Sequence, residues 1–195
     1  MHDRTAVFAV RSLITPAVRE YSGQLNLQCH ILLTVWSFSH TAGLLMTESP
    51  DDLNLIQLLV DRLYRAISFD PGNRPPIENL RKLFIPEARL INNNADQPSL
   101  LTIDQFISAF REQIESGAIT SFLENEISHI TELFGKVAHR FSTYESRFDP
   151  KSVEPFSVGI NSIQMLKIGG KWKVSGMVWN DQAPDREIPE RYLRQ

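Results

Sequence analysis

The hydrophobic period of this chain changes once, at Gly117, and that change limits what it can fold into. Between residue 50 and Gly117 most apolar residues recur at helical spacing, and after Gly117 they alternate. Strands are expected over about 121–134, 136–148, 156–167 and 172–180. Phe134-Gly135-Lys136 and Ile168-Gly169-Gly170-Lys171 read as hairpin turns, and 149–155 as a longer connection. Polar residues recur among the apolar ones of the last three of these strands. That pattern suggests a curved antiparallel sheet around a pocket.

Upstream, a helix is expected over 50–68, with Leu53, Ile56, Leu59, Val60, Leu63 and Ile67 as its apolar stripe. Pro50 suits its first position, Ser49 its cap, and Asp51 and Asp52 complement its dipole. Asp70 to Pro76 ends it, and a short helix over 77–84 stops before Pro86. Residues 87–92 read as a short strand and 92–98 as a loop. Thr102 and Gln105 form a capping box for a third helix, which buries Ile103, Phe106, Ile107, Phe110 and Ile114 and closes at Ser116-Gly117. Helices followed by a meander of strands make an α+β fold. The helices pack in the concave face of a strongly curved antiparallel or mixed sheet, because their stripes need cover. The open end of such a sheet leaves a cavity.

The chain's 195 residues suffice for one domain with a sizeable core. A net charge of −3 gives no basic footprint for nucleic acid or an anionic membrane. No apolar run is long enough for a membrane span. The single cysteine, Cys29, excludes an internal disulfide and a thiolate metal cluster, and fits a reducing, cytoplasmic compartment. No nucleophile elbow, phosphate-cradling loop or dinucleotide fingerprint is present, so no cofactor is expected. Residues 1–45 lack lysine, contain very few acids and follow no sustained period. They read as an N-terminal extension, disordered or left by a misassigned start, with Met46 as the biological start. The rival readings are a signal peptide and an arm packed on the domain. The domain proper then spans 46–182, with an extended tail over 183–195.

Three segments carry a family resemblance. Leu83-Phe84-Ile85-Pro86-Glu87-Ala88-Arg89-Leu90 is similar to the helix-to-strand passage of the nuclear transport factor 2-like superfamily. Phe134 to Ala138 resembles its central hairpin, and Ile163 to Leu166 with Gly170 to Val174 and Trp179 its last hairpin. His139 to Arg147 with Pro155-Phe156 and Gly159 to Gln164 resembles an uncharacterised bacterial subgroup. The resemblance covers 50 to about 182. It implies a cystatin-like cone shared with ketosteroid isomerase and polyketide-cyclase (SnoaL-like) proteins, and a homodimer through the convex sheet face. It does not imply one activity. An isomerase of this type needs a carboxylate base, whose position falls near Asn92, and an acid, whose position falls at Asn161 or Ser162. Neither pattern is met, so the isomerase mechanism is not expected.

Period 2 places Tyr144 on one strand face with Arg140 and Ser142, and Glu145 on the other with His139 and Thr143. The second set contains an acid/base pair and is assigned to the pocket; the first is left for the dimer. His129 and His139 fall diagonally or on opposite faces, with no obvious third ligand, so no metal site is expected. The candidate ligand-binding residues are Tyr64, Asn92, His139, Glu145, Asn161, Gln164 and Trp179, with His139 and Glu145 as catalytic candidates. The bland alternative is that these make cross-strand or interface pairs. The functional expectation is a homodimeric protein binding a small apolar or aromatic ligand. A polyketide-cyclase, dehydratase or isomerase type of enzyme and a protein-interaction module are the alternatives.

Overall fold

The computed structural model describes residues 50–194, so the expectations for residues 1–45 lie outside the described residues. Helix α1 (Pro50–Ile67) starts at the proline and has Asp51 and Asp52 in its first turn. It buries Ile56, Leu59, Val60, Leu63, Tyr64 and Ile67, whereas Leu53, expected in that stripe, is exposed. The short second helix is a 3₁₀ turn (Ile77–Asn79) running into α2 (Leu80–Leu83). Leu80, Leu83 and Phe84 point inward, as their spacing predicts. Helix α3 (Ile103–Glu115) carries the complete capping box: Gln105 N–H donates to Thr102 Oγ1, and Thr102 N–H to Gln105 Oε1.

The strands are β1 (Phe84–Asn92), β2 (Ser99–Leu101), β3 (Leu123–Phe134), β4 (Val137–Arg147), β5 (Ser157–Ile168) and β6 (Lys171–Asp181). They form one six-stranded sheet in the order β2-β1-β6-β5-β4-β3. Only β1 and β6 run parallel; the other pairs are antiparallel. Strand β2 follows the loop expected over 92–98 and has no counterpart among the expected strands, because three residues carry too little pattern to show a period. The hairpin turns sit where expected, with positive φ at Gly135, Gly169 and Gly170. The helices cover one face of the sheet. Between them, Phe110 packs edge-on against Phe69 and Phe122 and stacks on Phe106, closing much of the interior with aromatic rings.

The tail folds back across the opposite face. Tyr192 lies in a 3₁₀ turn (Glu190–Tyr192) and packs on Phe141 with ring centroids 5.1 Å apart. Thr143 Oγ1 donates to the Tyr192 carbonyl at 2.6 Å, and Ser128 Oγ to that of Arg194 at 3.2 Å. Polar side chains on the outer face of β3 and β4 thereby find partners that water would otherwise supply. No helix among the described residues is long and apolar enough to cross a membrane.

Candidate functional site

The site is set by which face of β4 turns inward. Ala138, Arg140, Ser142, Tyr144 and Ser146 are all buried beneath the helices. Opposed residues of an antiparallel pair share a face. The inner face therefore also receives Glu126, His129 and Thr131 from β3, and Gly159, Asn161 and Ile163 from β5. Trp179 and Met177 follow from β6. Period 2 was read correctly, but the two sets are exchanged. Arg140, Ser142 and Tyr144 form the interior, while His139, Thr143 and Glu145 face out. An arginine inside an aromatic core is disfavoured unless a partner neutralises it, and that partner comes from another strand.

The partner is Glu126. Arg140 Nε donates to Glu126 Oε1 at 2.8 Å, and its Nη2 bonds Glu126 Oε2 and, at 2.6 Å, Gln57 Oε1. Nη1 reaches Thr131 Oγ1 at 3.3 Å. The fork-on-fork geometry and the added acceptors satisfy a guanidinium whose side chain is 2% exposed. A β-bulge between Glu126 and Ser128 lets Glu126 and His129 both point inward. His129 Nδ1 lies 3.3 Å from Glu126 Oε2.

A directed chain of hydrogen bonds leaves this pair. Ser142 Oγ donates its one proton to Glu126 Oε1 at 2.5 Å. The Tyr64 hydroxyl, 2.6 Å from Ser142 Oγ, must then donate to it. Asn161 Nδ2 donates to Tyr64 Oη at 3.1 Å. Burial pushes the Tyr64 phenol well above its ordinary range, reinforced by the charge of Glu124, so Tyr64 stays a neutral donor.

Asn161 ends this chain at a cavity of about 50 Å³. Its walls are apolar: Ile67, Phe106, Phe110, Phe122, Met177 and Trp179. Its polar lining is Asn161 and Glu124. A dry cavity of about 150 Å³ is known to admit benzene. Admission of a whole ring therefore requires a side chain at the mouth, such as the half-buried Phe106, to move.

Asn161 and Trp179 thus line the cavity, and Tyr64 sits directly behind Asn161. Asn92 is on the same face beside Trp179, but its Oδ1 accepts the Asn94 N–H at 3.0 Å and shapes a turn instead. His139, Glu145 and Gln164 lie on the outer face. His139 opposes Glu132 and Gln164, and its Nε2 is 3.1 Å from Ser162 Oγ. Glu145 is chelated by Arg147, whose hydrogen bonds hold its carboxyl below the usual range. The proposed acid/base pair therefore does not face the cavity. Glu126, Arg140 and Glu124 were missed as interior groups. The only signal of the Glu126–Arg140 pair in the sequence is opposite charge on two strands joined by a tight turn, which is weak by itself.

Among the described residues no cluster of three or more histidine, cysteine or acidic side chains is arranged to hold a metal ion. No protein family's sequence profile matches the chain, and no curated protein is similar to it. Solved structures do match. One is a protein of unknown function with a cystatin-like fold from Nostoc punctiforme, with a TM-score of 0.54, 12% identity and coverage of 71% of this chain and 97% of that one. Another is a nuclear transport factor 2-like protein of unknown function from Methylobacillus flagellatus, with a TM-score of 0.50, 17% identity and coverage of 72% and 100%. A third, from Novosphingobium aromaticivorans, is provisionally named a scytalone dehydratase; it has a TM-score of 0.52, 12% identity and coverage of 71% and 90%. With helices on one face of an open, six-stranded mixed sheet, the chain has a cystatin-like fold, as these solved structures indicate.

Proposed function

We propose that the protein binds a small apolar or aromatic ligand carrying one hydrogen-bonding group, at the mouth of the cone. The observation that supports this is the apolar, largely aromatic cavity with Asn161 fixed at its base by Tyr64. An amide held by a buried hydrogen bond cannot turn away, so its remaining polar capacity points one way. The reading is non-catalytic. A dehydratase-type reaction, suggested by the name of the third structure, needs an acid and a base on the substrate. His139 and Glu145 are on the far side of the sheet, and Tyr64 already gives its proton to Ser142.

Phenol is the probe that tests this. In an NMR titration the Met177 methyl and Trp179 indole signals are expected to shift together and saturate in the millimolar range. Phe106→Ala opens the mouth and is expected to tighten binding about tenfold, equivalent to about 1.4 kcal/mol. Unmoved signals in both proteins, or shifts confined to His139 and Gln164, would sink the reading.

A second reading, compatible with the first, is a homodimer through the outer sheet face. Register places Leu100, Ile91, Val178, Ser162, Phe141 and Ile130 in one row across all six strands. Tyr192 covers the Phe141 end, while Leu100 is 59% and Val178 38% exposed. An apolar row of this kind marks an association surface. Val178→Lys is expected to convert a dimer to a monomer in sedimentation velocity; a wild-type monomer would refute the dimer.

A further inference from the structure

Helix α1 carries a second stripe that the core takes up only in part: Leu59 and Ala66 are buried, while Leu55 and Leu58 are exposed. Leu55, Leu58, Leu59, Arg62 and Ala66 fall at i, i+3, i+4, i+7 and i+11, beside the buried stripe through Ile56, Val60 and Leu63. Together with α2 and the β5–β6 hairpin, this stripe lines an open groove of about 870 Å³. The groove follows α1 from Leu55 to Ala66, about 16 Å at 1.5 Å per residue.

Its floor is apolar: Leu55, Leu58, Leu59, Leu83 and Trp172. Leu55 and Leu58 are 44% and 48% exposed, so part of that floor faces water. Its rims are cationic on both sides. Arg62 and Arg65 stand on the α1 side, and Lys82, Lys171 and Lys173 stand opposite. No acidic residue lines it, although the whole chain has a net charge of −3. None of these five cations has a carboxylate partner among the described residues; the Lys173 ammonium donates to the Lys82 carbonyl. Neighbouring carboxylates are engaged elsewhere. Asp52 binds Lys167 and the Trp172 indole, and Glu78 binds Arg81 and Arg111.

We infer that this groove docks an acidic amphipathic peptide helix of a partner protein. The charge pattern selects this occupant. A single anionic headgroup would neutralise one rim at one end, whereas five cations spread along both rims match several carboxylates flanking an apolar stripe. A concave floor does not suit a flat membrane surface. Polyphosphate chains would leave the leucines uncovered. A helix laid in the groove would cover Leu55 and Leu58 with its stripe and set its acids against both rims.

The test uses the full chain and a fluorescein-labelled peptide of about 12 residues, roughly the groove's length in helix. It has leucines at i, i+3 and i+7 and glutamates elsewhere. Fluorescence anisotropy is expected to show saturable binding that weakens as salt is raised. The same peptide with lysine for glutamate is expected not to bind. Two sets of exposed substitutions, chosen to leave the core intact, should each weaken binding about tenfold or more: Arg62→Glu with Lys171→Glu for the rims, and Leu58→Ser for the floor. Equal binding of the lysine peptide, unchanged binding by both variants, or displacement by inorganic polyphosphate at equal charge would overturn the assignment. The cavity at Asn161 shares no lining residue with this groove, so phenol binding there succeeds or fails independently of this result.

Discussion

Glu126→Leu is expected to destabilise the protein by about 3–5 kcal/mol, because it leaves the Arg140 guanidinium buried without its counter-charge. Gln57 and Thr131 would remain as hydrogen-bond partners, but neither carries a compensating charge. Replacing both members, Glu126→Leu with Arg140→Met, removes the buried charges together. It is expected to cost much less than the sum of the single changes, since a buried ion pair is often no more stabilising than apolar residues of similar volume. Urea unfolding of the four proteins in the cycle measures the coupling. Additive effects within about 0.5 kcal/mol would show that the pair is not a coupled unit.

The same cycle has a pH signature. His129 sits against Glu126, and its pKa is held below the ordinary value of 6.5, first by burial and then by the charge of Arg140. Glu126 opposes that shift. A histidine with a depressed folded pKa favours folding while neutral, so its contribution is complete above pH 6.5. It is lost as pH falls through 6.5 toward the folded value. Stability is therefore expected to decline over that interval, and His129→Gln to flatten the decline. An equal slope in the two proteins would place the pH sensitivity elsewhere.

Gly159→Ala is expected to cost about 3 kcal/mol, at the upper end of ordinary overpacking. Gly159 lies on β5 directly opposite Tyr144, whose fully buried ring crosses over it. An added Cβ would overlap the Tyr144 hydroxyl, come within 2.6 Å of Cζ, and lie 2.7 Å from the Asn180 carbonyl. The ring cannot swing away cheaply, because its hydroxyl donates to Asp181 Oδ1 and all sides are packed. The strand cannot retreat without breaking its ladder to β4 and β6. Tyr144→Ser removes most of the obstruction but not the carbonyl. In that background the alanine should cost less than half as much by urea unfolding; an equal cost would place the clash in the backbone alone.

These two positions show where reading the sequence stops. Gly159 was legible as part of a strand, but its purpose depends on a tyrosine 15 residues earlier whose face alternation alone did not decide. Asn161 and Trp179 were named as pocket residues and do line the cavity. His139, Glu145 and Gln164 were named with them and lie on the outer face. Alternation separates the two sets on β4 without saying which is inside. The polar content of each set, Arg140 with Ser142 or His139 with Glu145, looks equally suited to water.

The sequence by itself determined the helices, five of the six strands, their turns and the α+β order. Each follows from contacts within a few residues: the stripe of α1, the Thr102–Gln105 box, the glycine turns at Gly135 and Gly169-Gly170. The tertiary structure alone decided the inward face. Arg140 can be buried only because the β3–β4 register and the bulge after Glu126 bring a carboxylate to it, with Gln57 arriving from a helix 83 residues away. Burial of a charge depends on its partner, and chain-distant partners meet only in the folded state.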